Sequence, residues 1–130
     1  MNDQIAHYER KLQYETDSWD LYNELANPGN IIVIDTRSPE AYAEEHIPSA
    51  INIPHRAMDR ESTNKLDRSA TYVTYCDGTG CNASTKGALK MLKLGFRVKE
   101  LIGGLDWWLR DGYATEGKSG RDGKTVKCGC

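Results

Sequence analysis

The sequence predicts an α/β fold with a mainly parallel central sheet and helices on both faces, and three observations predict it. Residues 31–34 (IIVI) form an unbroken β-branched run that stops at Asp35, as a strand buried on both faces of a parallel sheet requires. A second short run, residues 72–75 (YVTY), reads as a buried strand, and residues 97–102 (RVKELI) give a further strand. Between and around them lie stretches of helical periodicity, so strand and helix alternate in the way that parallel crossovers demand.

At 130 residues the chain is long enough for a hydrophobic core and is expected to form one domain, 1–130. A formal charge of −2 gives no polycationic footprint, so no nucleic acid partner is expected and any anion site must be local. No apolar run approaches the roughly 20 residues that span a bilayer, and the first ten residues (MNDQIAHYER) have no signal-peptide core, so the expected setting is cytoplasmic with no membrane partner. Without an export signal, the four cysteines (Cys76, Cys81, Cys128, Cys130) are expected to be free thiols rather than two disulfides.

Taken in order, residues 2–12 place Ile5, Tyr8 and Leu12 at helical spacing, a weakly amphipathic extension over 1–11 able to pack on the body or on a partner. Residues 12–16 suit a short edge strand. Asp17 or Ser18 then caps a helix over 19–26 whose inner face carries Trp19, Leu21, Tyr22 and Leu25, and Asn27-Pro28-Gly29 ends it. After the strand at 31–34, Ser38 caps a short helix with Pro39 at its first position. Residues 50–53 read as another short strand closed by Pro54, and residues 55–67 as a loop or short helix sending Met58 and Leu66 to the core.

The helix following residue 82 is expected to bury Thr85, Ala88, Leu89 and Leu92, with Gly95 at its end. Gly103-Gly104 marks a tight turn before a helix over 105–110, where Trp107 and Trp108 serve packing at core and rim, and Gly112 stops it. From residue 117 the composition (GKSGRDGKTVKCGC) lacks apolar periodicity and predicts a flexible tail over 117–130.

The chemistry is concentrated at Cys76. It stands where the strand of residues 72–75 ends, before a loop containing Gly78 and Gly80 and a helix that opens near Asn82 or Ser84. Ligands of parallel sheets gather beyond the carboxyl ends of the strands, and Asp35 shares that edge. A helix N-terminus and side-chain-free amides favour an anion there, and they lower a thiol that ordinarily titrates near roughly 8.5. This makes Cys76 the candidate nucleophile. Cys81 shares the loop and can be a resolving thiol, a second sulfur carrier, a mere loop residue, or itself the nucleophile, since it lies nearer the helix start. The CxxxxC spacing also allows a disulfide on oxidation.

Three segments resemble the rhodanese-like sulfurtransferase family, over about residues 12–116. Residues 34–54 (IDTRSPEAYAEEHIPSAINIP) are similar to the family's DxR and GHIxGAxxIP pattern. Residues 73–76 (VTYC) match the strand and cysteine, and residues 101–113 (LIGGLDWWLRDGY) match its GGxxxWxxxGxP pattern. The resemblance implies a persulfide mechanism. Cys76 would take sulfane sulfur from a small-molecule donor such as thiosulfate, hold it as Cys–S–SH, and pass it to cyanide, a thiol or a protein sulfur acceptor, with no cofactor and no metal. It also implies a backbone cradle over Asp77, Gly78, Thr79, Gly80, Cys81, Asn82 and Ala83, and structural roles for Asp35, Arg37 and His46.

The chain departs from the family pattern in places. The loop CDGTGCNASTKGA is longer than usual and contains no arginine, which leaves Lys86 as the nearest cation to hold an anionic donor. Glu45 and Ser49 stand where the pattern has glycines, implying an altered local turn, and Glu44 and Glu45 are expected on an exposed helix end without an acid–base partner. The terminal Cys128-Gly-Cys130 can receive persulfide sulfur, contribute two ligands to zinc or copper(I), or have no role. Two other functions stay open at this level: a non-catalytic redox-sensing or binding module, and phosphate or arsenate chemistry, which ordinarily requires the missing loop arginine.

Overall fold

The computed structural model describes every residue except Pro28, Thr125, Lys127, Cys128 and Cys130, so the reading of the terminal cysteine pair lies outside the described residues. Its elements, in chain order, are α1 (Asn2–Tyr14), β1 (Glu15–Thr16), α2 (Ser18–Ala26), β2 (Ile31–Asp35), α3 (Pro39–Glu44), β3 (Ile51–Asn52), β4 (Thr71–Tyr75), α4 (Ala83–Lys93), β5 (Arg97–Leu101) and α5 (Gly104–Arg110), with a single 3₁₀ turn at His55–Ala57. The five strands pair in the order β1-β5-β4-β2-β3, and every pairing is parallel. Asp35 lies level with Tyr75, which sets Thr36 and Cys76 side by side beyond the carboxyl edge of the sheet.

Strand alternation divides the interior into two cores. Val33, Val73 and Tyr75 point to the face covered by α2 and α5, where Leu21, Leu105 and Trp108 are buried. Ile34 and Tyr72 point to the other, covered by α4 through Met91 and closed by Met58, Phe96 and Val98. Caps follow the local sequence: Asp17 accepts from the amide of Asp20 at 2.8 Å, Ser38 accepts from Ala41 at 3.2 Å, and Gly95 takes φ 94° just past α4. Trp108 is buried, with its indole N–H donating to the carbonyl of Ala114 at 2.8 Å, while Trp107 lies at the rim.

Several expectations change. Helix α1 runs to Tyr14 and leaves only Glu15–Thr16 to the edge strand, and it buries none of its side chains. Tyr22 of α2 is more exposed than an inner-face residue, and it stacks on Tyr113 at 4.6 Å between ring centroids. Helix α4 buries Ala83, Ser84, Gly87 and Met91, whereas Leu89 and Leu92 are each 53% exposed and Thr85 faces out. The physical reason is close approach: a Cβ on Gly87 would lie 2.6 Å from Cγ2 of Thr36, so the helix meets the sheet edge through its smallest residues and its leucines point away.

Residues 117–124 are tied down by hydrogen bonds, unlike the loose tail their composition suggested. The amides of Lys118 and Ser119 donate to the carbonyls of Ala43 and Glu44 at 3.0 and 2.8 Å, and that of Lys124 donates to Gly112 at 2.7 Å. Glu45 anchors the return. Its carboxylate accepts from Nε of Arg121 at 2.9 Å and from the hydroxyl of Thr115 at 2.5 Å, and Glu44 accepts from Ser119. Glu44 stays on the exposed helix end while bonded to Ser119, and Glu45 is half-buried with Thr115 and Arg121 as its partners. Burial works to raise the Glu45 carboxyl, but the bonds from Arg121 and Thr115 outweigh it and hold the group below its usual range. Ser49, where the family pattern has a glycine, takes the left-handed conformation with φ 68°. No helix of the described residues is long and apolar enough to cross a membrane.

Candidate active site at the Cys76 loop

The floor of the site is a buried polar group beneath the loop. Asp35, fully buried, accepts from the amide of Arg37 at 2.9 Å, from its guanidinium at 2.7 and 3.0 Å, and from the Tyr75 hydroxyl at 2.7 Å. That hydroxyl in turn accepts from the amide of Ile47 at 3.1 Å. Burial, with the Asp35 charge beside it, pushes the Tyr75 phenol far above its ordinary value, so it remains a donor at all working pH. For Arg37 burial opposes the charge, but Asp35 more than compensates and the guanidinium stays ionised. Arg37 then reaches Asp77 at 3.0 Å and the carbonyl of Glu45 at 2.6 Å. Asp35 and Arg37 thus join the end of β2 to the loop that follows β4.

The loop is held from its other side by α5. The amide of Leu105 donates to the carbonyl of Cys76 at 2.9 Å, and that of Asp106 to the carbonyl of Asp77 at 2.7 Å. Gly103 and Gly104, at φ 79° and 56°, make this approach possible. Beyond Cys76 the loop keeps its donors free: among the described residues, the amides of Asp77, Gly78, Thr79, Gly80 and Asn82 have no protein acceptor, whereas that of Cys81 donates to the carbonyl of Gly78 at 3.2 Å. The first turn of α4 adds its own unpaired amides from Ala83 onward.

The two loop cysteines are joined. Cys76 and Cys81 form a disulfide with their Cα atoms 6.3 Å apart, which corrects the reading of both as free thiols. The reason lies in the loop itself: the Gly78–Cys81 turn folds residue 81 back onto residue 76. Cys76 is only 2% exposed, while Cys81 is partly exposed.

Two clefts meet at Cys81. One, of about 430 Å³, is bordered by Arg37, His55, Arg56, Cys76, Asp77 and Cys81. The other, of about 550 Å³, is bordered by Gly78, Thr79, Gly80, Cys81 and Asn82, and by Glu15 and Glu100. Glu100 accepts from the hydroxyls of Ser84 and Thr85, each at 2.6 Å. His55 and Arg56 were missed by sequence reasoning. The usable signal was position, because they follow β3 beyond the same carboxyl edge as Cys76. Desolvation, with Lys90, Lys86 and Arg56 nearby, lowers the His55 imidazole below its ordinary value. Lys86 borders neither cleft but contributes its charge from the exposed side of α4.

His46 stands apart from both clefts. It stacks on Tyr42 with centroids 3.8 Å apart, donates from Nδ1–H to the carbonyl of Tyr42 at 2.6 Å, and exchanges two backbone hydrogen bonds with Glu116 at 2.9 Å. This is a packing environment. His46 borders neither cleft at the cysteine pair.

Comparison with known proteins gives a consistent result. Residues 18–111 match the rhodanese-like domain family. Among curated proteins, the chain is 30% identical over 86 residues to a thiosulfate sulfurtransferase, GlpE, of Coxiella burnetii, covering 65% of this chain and 78% of that protein. It is 36% identical over 73 residues to the thiosulfate sulfurtransferase PspE of Escherichia coli, covering 55% and 68% respectively. Among solved structures, a Bacillus halodurans protein superposes with a TM-score of 0.88 at 45% identity, covering 92% of this chain and 88% of that one. A rhodanese-related protein of Thermoplasma volcanium superposes with a TM-score of 0.69 at 26% identity, covering 79% and 97%.

Proposed function

The chain belongs to the rhodanese-like domain family, and from that premise we propose that its reduced form moves sulfane sulfur from a donor such as thiosulfate to a thiol or cyanide through a persulfide on Cys76. The observation that carries this reading is the position of Cys76. It ends a central parallel strand, under a loop of unpaired amides, at the wall of a cleft bordered by Arg37, His55 and Arg56.

In this reading the donor dianion enters the basic cleft and the Cys76 thiolate attacks its outer sulfur. The S–S bond of thiosulfate breaks and sulfite leaves with the electron pair. The anionic persulfide is received by the amides of Asp77, Gly78, Thr79, Gly80, Asn82 and Ala83, donors fixed before the charge arrives. Lys86 and Arg56 supply longer-range positive charge. Cyanide then removes the outer sulfur as thiocyanate, or a thiol acceptor becomes a persulfide, and the Cys76 thiolate is restored. The protein would act in the cytoplasm, where thiols are kept reduced.

Intact-protein mass spectrometry after reduction tests this. Thiosulfate and cyanide together should yield thiocyanate, the Cys81→Ser protein should gain one sulfur atom from thiosulfate and surrender it to cyanide, and Cys76→Ser should gain none. A parent protein that takes up no sulfur from any donor overturns the proposal. A second reading, a redox-sensing module without transferase activity, is favoured by the Cys76–Cys81 disulfide itself. It would become the leading one on that outcome.

A further inference from the structure

We infer that Cys81 is a resolving thiol, so that this protein reduces sulfane sulfur to sulfide at the expense of a dithiol. This deepens, and rests on, the persulfide reading of Cys76. Cys81 makes a disulfide with Cys76 inside a loop of five residues' separation, so its sulfur reaches the inner sulfur of a Cys76 persulfide by the geometry that the disulfide already records.

The reaction balances in three steps. Thiosulfate transfers its outer sulfur to the Cys76 thiolate, and sulfite leaves. The Cys81 thiolate then attacks Sγ of Cys76, the bond between Sγ and the outer sulfur breaks, and that sulfur departs with the electron pair and, taking a proton from water, leaves as hydrosulfide. The outer sulfur is reduced by two electrons and the cysteine pair is oxidised by two, giving the observed disulfide. Finally an external dithiol attacks the disulfide, and its second thiol resolves the mixed disulfide. Overall, thiosulfate and a dithiol give sulfite, sulfide and the oxidised dithiol.

Exposure decides which sulfur the dithiol attacks. Cys76 is buried while Cys81 is partly exposed and borders both clefts, so an incoming thiolate meets Cys81 and expels Cys76. The leaving thiolate is then received by the loop amides, and a stabilised leaving group departs faster. The clefts also separate the two reagents by charge. The one shared with Cys76 carries Arg37, His55 and Arg56 and suits the anionic donor, whereas the opposite one carries Glu15 and Glu100, borders Cys81 alone of the two cysteines, and has no lysine or arginine on its wall. We assign the second cleft to the dithiol.

A single-turnover measurement tests this. Parent protein is reduced, freed of reductant under argon and given thiosulfate, and sulfide, protein mass and free thiols are followed together. One sulfide per protein should appear, with loss of both loop thiols and a final mass lower by two hydrogens; Cys81→Ser should take up sulfur, keep it and release no sulfide. Adding dithiothreitol to the parent should then sustain further sulfide release from excess thiosulfate. A parent that gains sulfur, retains it without sulfide release and still passes it to cyanide overturns the role of Cys81 and leaves the persulfide reading standing. A parent that gains no sulfur and releases no sulfide overturns both.

Discussion

A Cβ placed on Gly104 would lie 2.3 Å from the carbonyl oxygen of Cys76. The contact is that close because the first amides of α5 grip the backbone at Cys76 and Asp77, and φ at Gly104 is 56°. Gly104→Ala should therefore cost at least about 1–3 kcal/mol of stability, the usual cost of a strained backbone conformation, before the clash is counted. It should also displace Cys76 and slow sulfur uptake. Urea denaturation and thiosulfate loading check both; unchanged stability would mean that α5 can retreat without consequence.

Arg37→Ala would leave the buried carboxylate of Asp35 without its cation. Breaking one side of a buried pair typically costs about 3–5 kcal/mol. Arg37→Lys should rescue little, since one ammonium cannot bond Asp35, Asp77 and the Glu45 carbonyl together. Chemical denaturation of the three proteins measures this, and full rescue by lysine would show that charge alone suffices.

Ser49→Gly should raise stability by up to about 1 kcal/mol, because only the side chain's aversion to positive φ is removed. The hydrogen bond at this residue comes from its backbone amide, to Glu116, and survives the change. A lower denaturation midpoint would show that the serine side chain holds something in place.

His55 should titrate below the ordinary imidazole value of about 6.5. The unfolded chain then binds the proton first, so this group's contribution to stability is full above the unfolded value and falls as pH drops through it. At pH 7 the ring is neutral. Acidification adds a charge to the donor cleft, and KM for thiosulfate should fall as pH drops past the His55 midpoint. NMR titration locates that midpoint, and Lys90→Gln should move it upward; an unshifted midpoint in the parent would refute the assignment of desolvation and neighbouring charge as its causes.

Much of the fold was legible because its signals are local. The β-branched run at β2, Ser38 with Pro39, and the paired glycines before α5 each specify a backbone conformation by their own chemistry. The buried face of α4 was not legible, since hydrophobic periodicity selects Leu89 and Leu92 whereas contact with Thr36 selects Gly87, a residue without a side chain to signal it. At the site, Cys76 could be placed by its strand end, but Arg56 and His55 enter the cleft only through the parallel pairing of β3 with β2. The partner of Glu45 was hidden for a related reason: Arg121 is 76 residues away in sequence.

That last contact separates two boundaries that are easily treated as one. The match to the rhodanese-like domain family ends at residue 111, yet Glu45, well inside the matched span, draws its hydrogen bonds from Thr115 and Arg121 beyond it. The span that defines the family and the span that is bonded together are therefore different lengths of chain. A protein cut at the edge of that match would lose an anion's counterion along with its last residues.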